Sequence, residues 1–340
     1  MSVKLLYFGN KTSSYKASKS MLETLEPLFG EFATVHSASH HKNQLLRLLS
    51  MITLFFRKGR TADYLLVDVY STRAYMYAQT IALLAQIFKK KYIFILHGGN
   101  LPQRFLSHEQ SMRKTFLKAH AIVAPSNYLK HFFDQQGIPT HYIPNIIELN
   151  NYPFKQRTHF APTFLSLRGF DSPYNPIMTL KAIQLLSNDF PGLKLYFVGA
   201  KTETHYEDII QFIAVNKMEK QVEILPKMPK SEWIKLSERA DFMLSNPVID
   251  NTPVSIIEGM ALGLVIISTN VGGVPFLVEE NKDAFLVPSN DHEALAAKMK
   301  EALSQPEICL EMVQTARKKA GSFDWTVVKN EWKQLLSKSE

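Results

Sequence analysis

The chain has 340 residues, about twice the usual size of a domain, so two domains with separate cores are expected. Hydrophobic residues make up 46% of it and charged residues 21%, a composition that excludes the disordered and fibrous classes. The formal net charge of +8 divides into +10 through Asn150, with 18 Lys and Arg against 8 Asp and Glu, and −2 in the remainder, with 21 against 23. The basic half is either a solubilising surface or the sign of an acidic partner, such as a phosphate-bearing substrate, an anionic membrane or a nucleic acid.

Short apolar runs alternate with segments of helical length along the first 150 residues. The runs VKLLYFG, ATVHSA, DYLLVDV, YIFILHGG, AIVAPS and THYIPN are typical of buried parallel strands. Helices are predicted between them at residues 20–28, 44–57, 74–89 and 127–135. This alternation predicts a parallel sheet that is covered on both faces.

The stretch IPNIIELNNYPFKQR, residues 143–157, has two prolines and several Asn and is typical of a linker. The strand pattern restarts after it with TFLSLRG, LKLYFVGA, VEILPKM, FMLSNP, LVIISTN and AFLVPS. Helices are predicted in this half at residues 176–188 and 230–240. The second half therefore repeats the organisation of the first.

Two tandem, doubly wound Rossmann-like α/β domains are the predicted architecture, at residues 1–150 and 156–320. Ligands of open α/β sheets bind beyond the carboxyl ends of the strands, so we expect the site in a central cleft that both domains face. The last segment, 321–340, has apolar residues at helical spacing, and we expect an amphipathic helix that crosses back to the first domain.

A single cysteine, Cys309, excludes an intrachain disulfide and favours a reducing compartment. The first apolar run reaches Gly9 too early for a signal peptide, and no run approaches the roughly 18 apolar residues that span a bilayer. We therefore expect a cytoplasmic protein, which includes work at the cytoplasmic face of a membrane.

The segment DNTPVSIIEGMALGLVIISTNVGGVP, residues 250–275, is the most informative part of the chain. Pro253 favours a helix start, and Thr252 or Asn251 is placed to cap that helix, which is predicted at 255–262. A helix amino end offers backbone N–H groups and a positive dipole end to an anion such as a diphosphate.

Two carboxylates, Asp250 and Glu258, frame this helix end, an arrangement that suits a sugar nucleotide. The Glu258 carboxylate is placed to reach ribose hydroxyls, and a capped helix with an incidental Glu is the alternative. The D-x7-E spacing and the sequence GMALGLVIISTNVGGVP resemble the donor-site motif of retaining glycosyltransferases of family 4, which have the glycosyltransferase-B (GT-B) fold.

The motif is matched with departures. Gly272, Gly273 and Pro275 stand where the family has its GG-x-P turn, but Phe276 stands where the Glu of that turn is usual. Val265 replaces a Pro, and the first acid is Asp rather than Glu. In the family that first acid contacts the donor sugar and the second acid holds the ribose, so the resemblance implies these roles for the two carboxylates.

Further matches extend over the rest of the chain. Residues 125–145 resemble the end of the family's amino-terminal domain, and residues 164–176 resemble the segment that carries its phosphate-binding Arg, here Arg168. The usual Lys about five residues further on is replaced by Pro173, so we expect Asn175 or backbone groups to supply part of its contact. A surface Arg is the alternative for Arg168.

In the first half, His97 ends a predicted strand and precedes two glycines. The resemblance implies that it lies near the donor pyrophosphate and sugar as a hydrogen-bond donor, and a core His bonded to a carbonyl is the alternative. The first loop, GNKTSSYKASKS at 9–20, is expected to present polar side chains to the acceptor. Gly9, Asn10 and Asn100 are the acceptor-side residues that we name.

The resemblance implies a retaining transfer in which Asp250, Glu258, His97 and Arg168 are the catalytic set. No nucleophile and base pair, Cys/His cluster or D-x-D string is evident, so we expect no metal and no cofactor besides a nucleotide diphosphate sugar, with a UDP-sugar as the first guess. The residues expected to bind this donor are Asn175, Thr252, Val254, Ser255, Gly272, Gly273 and Met228, the last in a loop that reads the base.

The basic first half leaves two interpretations open for its helix at 44–57. One helical face carries Leu45, Leu48, Leu49, Ile52 and Phe56, and we expect this face to cover the sheet. The Lys and Arg excess favours peripheral docking on an anionic membrane, which suits a lipid-linked sugar acceptor. Nucleic acid is not expected as a partner, because the basic residues lack interleaved aromatics and a reader motif.

The sequence therefore favours a metal-independent, retaining transferase that moves a hexose-type sugar to a glycan or lipid-linked acceptor in surface polysaccharide or glycolipid assembly. The alternative is a degenerate, nontransferring sugar-nucleotide or glycan binding protein on the same fold, which the departures from the motif motivate. A sugar-nucleotide epimerase lacks the extra acid and base groups it needs, and a dehydrogenase lacks a G-x-G-x-x-G after the first strand.

Overall fold

The computed structural model describes residues 2–11, 19–38 and 40–337. The chain divides into two compact units, one of Met1–Asn145 with Val328–Glu340 and one of Ile146–Val327. Each unit is built on a sheet of six parallel strands. This is the α/β architecture that the alternation of apolar runs and helical segments predicts.

The first unit alternates strands and helices along its whole length. Its elements are β1 (Val3–Phe8), α1 (Met21–Phe29), β2 (Ala33–Ala38), α2 (Gln44–Lys58), β3 (Tyr64–Val69), α3 (Tyr75–Ile87), β4 (Tyr92–Leu96), α4 (Leu101–Ser107), α5 (Glu109–Phe116), β5 (Ala121–Ala124), α6 (Asn127–Gln135) and β6 (His141–Tyr142). The strand order is β2-β1-β3-β4-β5-β6. Every residue of β3, β4 and β5 is buried, so helices and loops cover both faces of the sheet.

The second unit has the same kind of sheet, in the order β12-β11-β10-β7-β8-β9. Its elements are β7 (Thr163–Ser166), α7 (Pro176–Leu186), β8 (Lys194–Val198), α8 (Tyr206–Val215), β9 (Val222–Leu225), α9 (Lys230–Leu236), β10 (Phe242–Ser245), α10 (Val254–Ala261), β11 (Val265–Thr269), α11 (Val274–Leu277), β12 (Phe285–Val287), α12 (His292–Ser304) and α13 (Pro306–Ala320), followed by α14 (Trp325–Leu335). All twelve predicted strands are present.

Successive side chains of the central strands of the second unit enter two different cores. Phe242 and Leu244 of β10 belong to one hydrophobic cluster, and Met243 between them belongs to the other. This alternation is the geometry of a strand that is buried on both sides. The sheet therefore holds the loops at its carboxyl edge from two packed layers.

The last helix, α14, returns the chain to the first unit, as predicted. Its first residues belong to the second unit, and from Val328 onward it belongs to the first. Trp332 packs edge to face on Phe29 of α1, with ring centroids 5.1 Å apart, and Lys329 pairs with Glu31. These contacts fix the end of the chain to the first unit.

One packing prediction is wrong. Of the predicted α2 face, Leu45, Leu49 and Phe56 do not cover the sheet, because their side chains are 68%, 57% and 59% exposed, whereas Leu48 is half-buried against the core. The buried stripe of α2 instead contains Met51 and Phe55, in the core, and Arg47. Arg47 can be buried because its guanidinium donates to the His41 carbonyl at 2.9 Å and to the Asn10 side chain at 2.8 Å.

No helix in the described part of the chain is both long enough and apolar enough to cross a bilayer.

Candidate functional site

The motif residues of the second unit meet at the carboxyl edge of its sheet. Arg168 follows β7, Asp250 follows β10, and Gly272 and Gly273 follow β11. Since β7, β10 and β11 are neighbouring parallel strands, their loops emerge side by side. Arg168 and Asp250, which are 82 positions apart in the sequence, are thereby brought together.

The glycine pair touches the backbone that carries Asp250. The Gly273 N–H donates to the Asp250 carbonyl at 3.0 Å, and a Cβ at Gly273 would lie 1.5 Å from the carbonyl oxygen of Asn251. A Cβ at Gly272 would lie 2.2 Å from the Asp250 carbonyl oxygen, and Gly272 has a φ of +51°. Only glycine permits this approach, so the turn fixes the position of the Asp250 loop.

Arg168 and Asp250 form an ion pair. The guanidinium donates to Oδ2 of the carboxylate, whose Oδ1 accepts from the N–H of Asn251 at 2.8 Å. The guanidinium also lies over the ring of Tyr174, 4.5 Å from its centroid. The predicted phosphate-binding cation and the predicted sugar-binding acid are therefore adjacent, and each neutralises the other.

Several buried polar atoms at this edge have no hydrogen-bond partner among the described residues. Nε of Arg168 and Oγ of Ser255 are the ones that belong to residues of the predicted site. Buried polar atoms of folded proteins normally have a hydrogen-bond partner, so each of these marks a place where a ligand atom would be accepted. The rest of the ion pair remains partly exposed, with 22% of the Arg168 side chain and 12% of the Asp250 side chain accessible.

Glu203 shapes the turn after Arg168, a role that the sequence did not reveal. Its carboxylate accepts from the N–H groups of Phe170 at 2.7 Å and Ala200 at 2.9 Å. The side-chain amide of Asn175 donates to Oδ1 of Asn290 at 2.8 Å. Its neighbour Tyr174 is the residue whose ring lies beside the guanidinium.

The predicted cap of the α10 helix is wrong. Pro253 itself takes the N-cap position, and no side chain caps the helix. Thr252 and Asn251 fall one and two residues before that position, too far back for the usual capping bond to the second or third helical amide. The first backbone hydrogen bond of the helix is donated by the Ile256 N–H to the Pro253 carbonyl at 3.0 Å. The N–H groups of Val254 and Ser255 come before this bond, at the amino end of the helix.

Glu258 is a buried and hydrogen-bonded carboxylate. It is 7% exposed, and its Oε1 accepts from the Tyr152 hydroxyl at 2.7 Å and from Nζ of Lys230 at 2.6 Å. Burial, and then the charge of Glu258, raise the pKa of Tyr152, so the hydroxyl keeps its proton and donates. Lys230 starts α9 directly after the loop with Met228, which places Glu258 beside the loop predicted to read the base.

A second cluster lies at the carboxyl edge of the first sheet. His97 follows β4, and its Nε2 lies 2.8 Å from Oδ1 of Asp68, near the end of the neighbouring β3. The Asp68 carboxylate also accepts from the hydroxyls of Tyr7 at 3.0 Å and Tyr70 at 3.1 Å. Asp68 is 2% exposed, so it is the buried residue around which this cluster is organised.

The cluster defines what His97 can do. Burial, and then the charge of Asp68, raise the pKa of Tyr7 and Tyr70 well above that of an ordinary tyrosine, so both hydroxyls stay protonated. With Nε2–H donated to Asp68, the remaining ring atom is Nδ1. Neutral His97 then offers an acceptor at Nδ1, and it becomes a donor there only as the doubly protonated ring.

The acceptor-side residues are divided between this cluster and the surface. A Cβ at Gly9 would lie 2.1 Å from Oδ2 of Asp68, and Asn10 accepts from Arg47. Asn100 is exposed at the start of α4. Residues 12–18 of the first loop, predicted to read the acceptor, lie outside the described residues.

Among the described residues, no three His, Cys, Asp or Glu side chains are grouped to hold a metal ion.

We expect Gly273→Ala to lower the free energy of unfolding of the second unit by about 3 kcal/mol or more, because the added methyl overlaps a backbone oxygen that cannot rotate away. Gly192→Ala is the matched control, since a Cβ there has no neighbour within 4 Å, and it should stay within about 0.5 kcal/mol of the parent. Calorimetric unfolding of both variants measures the difference. Equal stability of the two variants would contradict the backbone contact.

We expect Asp68→Asn to raise the fraction of His97 protonated on Nδ1 about tenfold, because the carboxylate that holds the Nε2 proton is removed. Nitrogen-15 shifts of the imidazole measure the tautomer. Tyr7→Phe removes one hydroxyl from Asp68 and leaves the carboxylate in place, so it should keep the parent tautomer. An unchanged spectrum in Asp68→Asn would show that the carboxylate does not set it.

Comparison with known proteins shows which family and fold the chain resembles. Residues 153–319 match the family described as glycosyl transferases group 1. The chain is 23% identical over 286 residues to the amylovoran biosynthesis glycosyltransferase AmsK of Erwinia amylovora, a match that covers 79% of this chain and 68% of that protein.

Solved structures show the same fold. Sucrose-phosphate synthase from Thermosynechococcus elongatus superposes with a TM-score of 0.81 at 14% identity, over 98% of each chain. HepE from Anabaena, in complex with UDP and glucose, superposes with a TM-score of 0.77 at 16% identity, over 98% of this chain and 99% of that one. At such identity the likeness shows the fold alone. Residues 153–319, which make up most of the second unit, thus match the group 1 glycosyltransferases, and the chain has the GT-B fold.

Proposed function

We propose that this glycosyltransferase moves a hexose-type sugar from a nucleotide diphosphate sugar, first of all a UDP-sugar, to a glycan or lipid-linked acceptor, with retention of the anomeric configuration and without a metal ion. The carrying observation is the Arg168–Asp250 pair, held at the sheet edge by the Gly272–Gly273 turn. One cation for phosphate and one acid for sugar hydroxyls stand next to each other there. That is the order in which a sugar nucleotide presents these groups.

The diphosphate is assigned to Arg168 and the amino end of α10. Arg168 has an unpartnered buried Nε, and Ser255 has an unpartnered buried Oγ at the start of that helix. A guanidinium and a helix amino end both favour an anion, and both act best where charge develops on a leaving phosphate. An aimed donor of this kind typically contributes about 3–4 kcal/mol to the stability of a transition state.

The ribose is assigned to Glu258, which Tyr152 orients from the buried side. A carboxylate accepts hydrogen bonds from two vicinal hydroxyls, and the neighbouring 226–229 loop supplies backbone groups for a base. The structural relative HepE was solved with UDP and glucose, which supports UDP as the nucleotide to test first.

The reaction proceeds in this proposal by attack of the acceptor hydroxyl on the face from which the diphosphate departs. The departing phosphate oxygen takes the acceptor proton, so no protein base is required. Asp250 holds the sugar hydroxyls, and His97 assists at the sugar through Nδ1. Arg168 and the α10 amino end supply the positive charge that a metal ion supplies in other transferases, which is the basis for proposing metal independence.

The acceptor is proposed to belong to surface polysaccharide or glycolipid assembly, at the cytoplasmic face of a membrane. AmsK, the relative that matches over 79% of this chain, is named for amylovoran biosynthesis. The charge of +10 through Asn150 favours an acidic surface or a phosphate-bearing lipid carrier as the surroundings of the acceptor.

A panel of nucleotide sugars tests the proposal by thermal unfolding. A donor at about 100 times its dissociation constant should stabilise the protein by roughly 2.7 kcal/mol. This stabilisation should be lost in Arg168→Ala and Glu258→Ala and kept in Lys300→Ala, which removes an exposed cation of the same unit. The protein is then incubated with the stabilising donor in the presence of EDTA. Proton NMR of the released sugar or product gives its anomeric configuration.

Turnover with retention in EDTA supports the full proposal. An inverted product would overturn the mechanism, and a loss of turnover in EDTA would overturn metal independence. Tight donor binding without any turnover would replace the transferase with the nontransferring binding protein. No stabilisation by any donor would overturn the donor site itself.

A further inference from the structure

The outward faces of α2 and α3 carry exposed apolar side chains. On each of the two helices, exposed apolar residues are separated by one to three helical turns and therefore form a stripe along one side. We name them the α2–α3 surface: Leu45, Leu46, Leu49, Phe56, Met76, Leu83, Ile87 and Phe88, with exposures of 68%, 51%, 57%, 59%, 41%, 58%, 62% and 51%. Scattered apolar residues are normal on a protein surface, whereas two adjacent stripes that both face outward mark a contact site.

The two stripes belong to one surface because the helices lie side by side. At their amino ends, the Tyr77 hydroxyl donates to the Gln44 carbonyl at 3.3 Å. Toward their carboxyl ends, Phe56 and Phe88 pack edge to face with ring centroids 5.6 Å apart. The exposed aromatic pair therefore joins the stripe of α2 to that of α3.

Cations border the surface at this aromatic end. Arg57 and Lys58 lie in the last turn of α2, Arg60 follows that helix, and Lys89 and Lys90 follow α3. In the described part of the chain, no ion pair joins any of these five to an acidic side chain. Lys90 donates to the carbonyls of Arg60 and Ala62, at 2.7 and 3.4 Å, but no carboxylate of the described residues neutralises its charge or those of the other four.

The sequence around both helices is free of acid. Residues 32–62 contain five Lys and Arg and no Asp or Glu, and residues 69–108 contain five Lys and Arg and no Asp or Glu. A second copy of the chain on this surface would set like charges against each other, so a symmetric dimer is disfavoured. A nucleic acid would meet the cations but leave the apolar stripes without a partner.

We propose that the α2–α3 surface docks this protein on an anionic lipid bilayer. The apolar side chains of both stripes enter the boundary between headgroups and acyl chains, and the five cations face lipid phosphates. The docking rests on the proposed function in one respect, since a lipid-linked acceptor gives it a purpose. It is read from the surface alone, so it is tested without any sugar.

The experiment is co-sedimentation of the full chain with phosphatidylcholine vesicles, with and without about 30 mol% of the anionic lipid phosphatidylglycerol. Binding is expected only with the anionic lipid, and it should weaken as salt rises. The combined Arg57→Gln, Lys58→Gln and Arg60→Gln variant should bind about 100-fold more weakly, from the loss of three surface cations. Leu49→Ser with Phe56→Ser and Ile87→Ser should lose at least as much, because the apolar contact is removed.

A matched control removes exposed apolar residues from the second unit. Leu185→Ser with Val215→Ser changes side chains that are 52% and 72% exposed, and it should bind vesicles like the parent. Parent protein that ignores anionic vesicles at low salt would overturn the proposal, as would apolar variants that bind unchanged. A parent dimer that the apolar variants convert to a monomer would assign the surface to a second copy instead.

Failure here is distinguishable from failure of the donor site. The docking variants should keep the stabilisation by nucleotide sugar. Their substitutions lie in the first unit, whereas Arg168 and Glu258, the donor contacts tested by thermal unfolding, lie in the second. Vesicle binding by a protein that no nucleotide sugar stabilises would leave the surface assigned and the donor site refuted. Retained donor binding without vesicle binding would support the donor site and refute the docking surface.

Discussion

The Arg168–Asp250 ion pair depends on a backbone contact that only glycine allows. Gly272 and Gly273 press against the carbonyls of residues 250 and 251, and this fixes where the Asp250 carboxylate emerges beside the loop after β7. The pair keeps a cation and an acid in a partly buried place, where either one alone would be unfavourable. A diphosphate sugar can take both partners at once, phosphate to the guanidinium and hydroxyls to the carboxylate.

Buried or half-buried tyrosines hold the carboxylates of both clusters. Tyr152 donates to Glu258 in the second unit, and Tyr7 and Tyr70 donate to Asp68 in the first. In each case burial and the neighbouring negative charge keep the phenol protonated, so its hydroxyl is a fixed donor. Such a donor orients the carboxylate from the protein side and leaves its other lone pairs for a ligand or, in the first unit, for His97.

Much of the fold was predictable because parallel strands buried on both faces give continuous apolar runs, and all twelve predicted strands are present, including the partly exposed β2 and β6. Which side of α2 faces the core was not predictable, because Leu, Met, Ile and Phe occur all around the helix. Arg47 faces inward because its guanidinium donates to the nearby His41 carbonyl. The motif at 250–275 indicated Asp250 and Glu258, and the match at 164–176 indicated Arg168, but neither predicted that Arg168 pairs with Asp250 or that Tyr152 contacts Glu258. Tyr152 and Glu258 are 106 residues apart, and no local pattern links such positions.

The most direct test of the donor site is calorimetric titration of UDP and UDP-glucose into the parent and into Asp250→Asn. If Asp250 competes with phosphate for Arg168 and binds the sugar, the variant should bind UDP about tenfold more tightly, because the guanidinium is released. It should also lose the difference in affinity between UDP-glucose and UDP. Loss of UDP binding in the variant, with the protein folded, would contradict this division of the site.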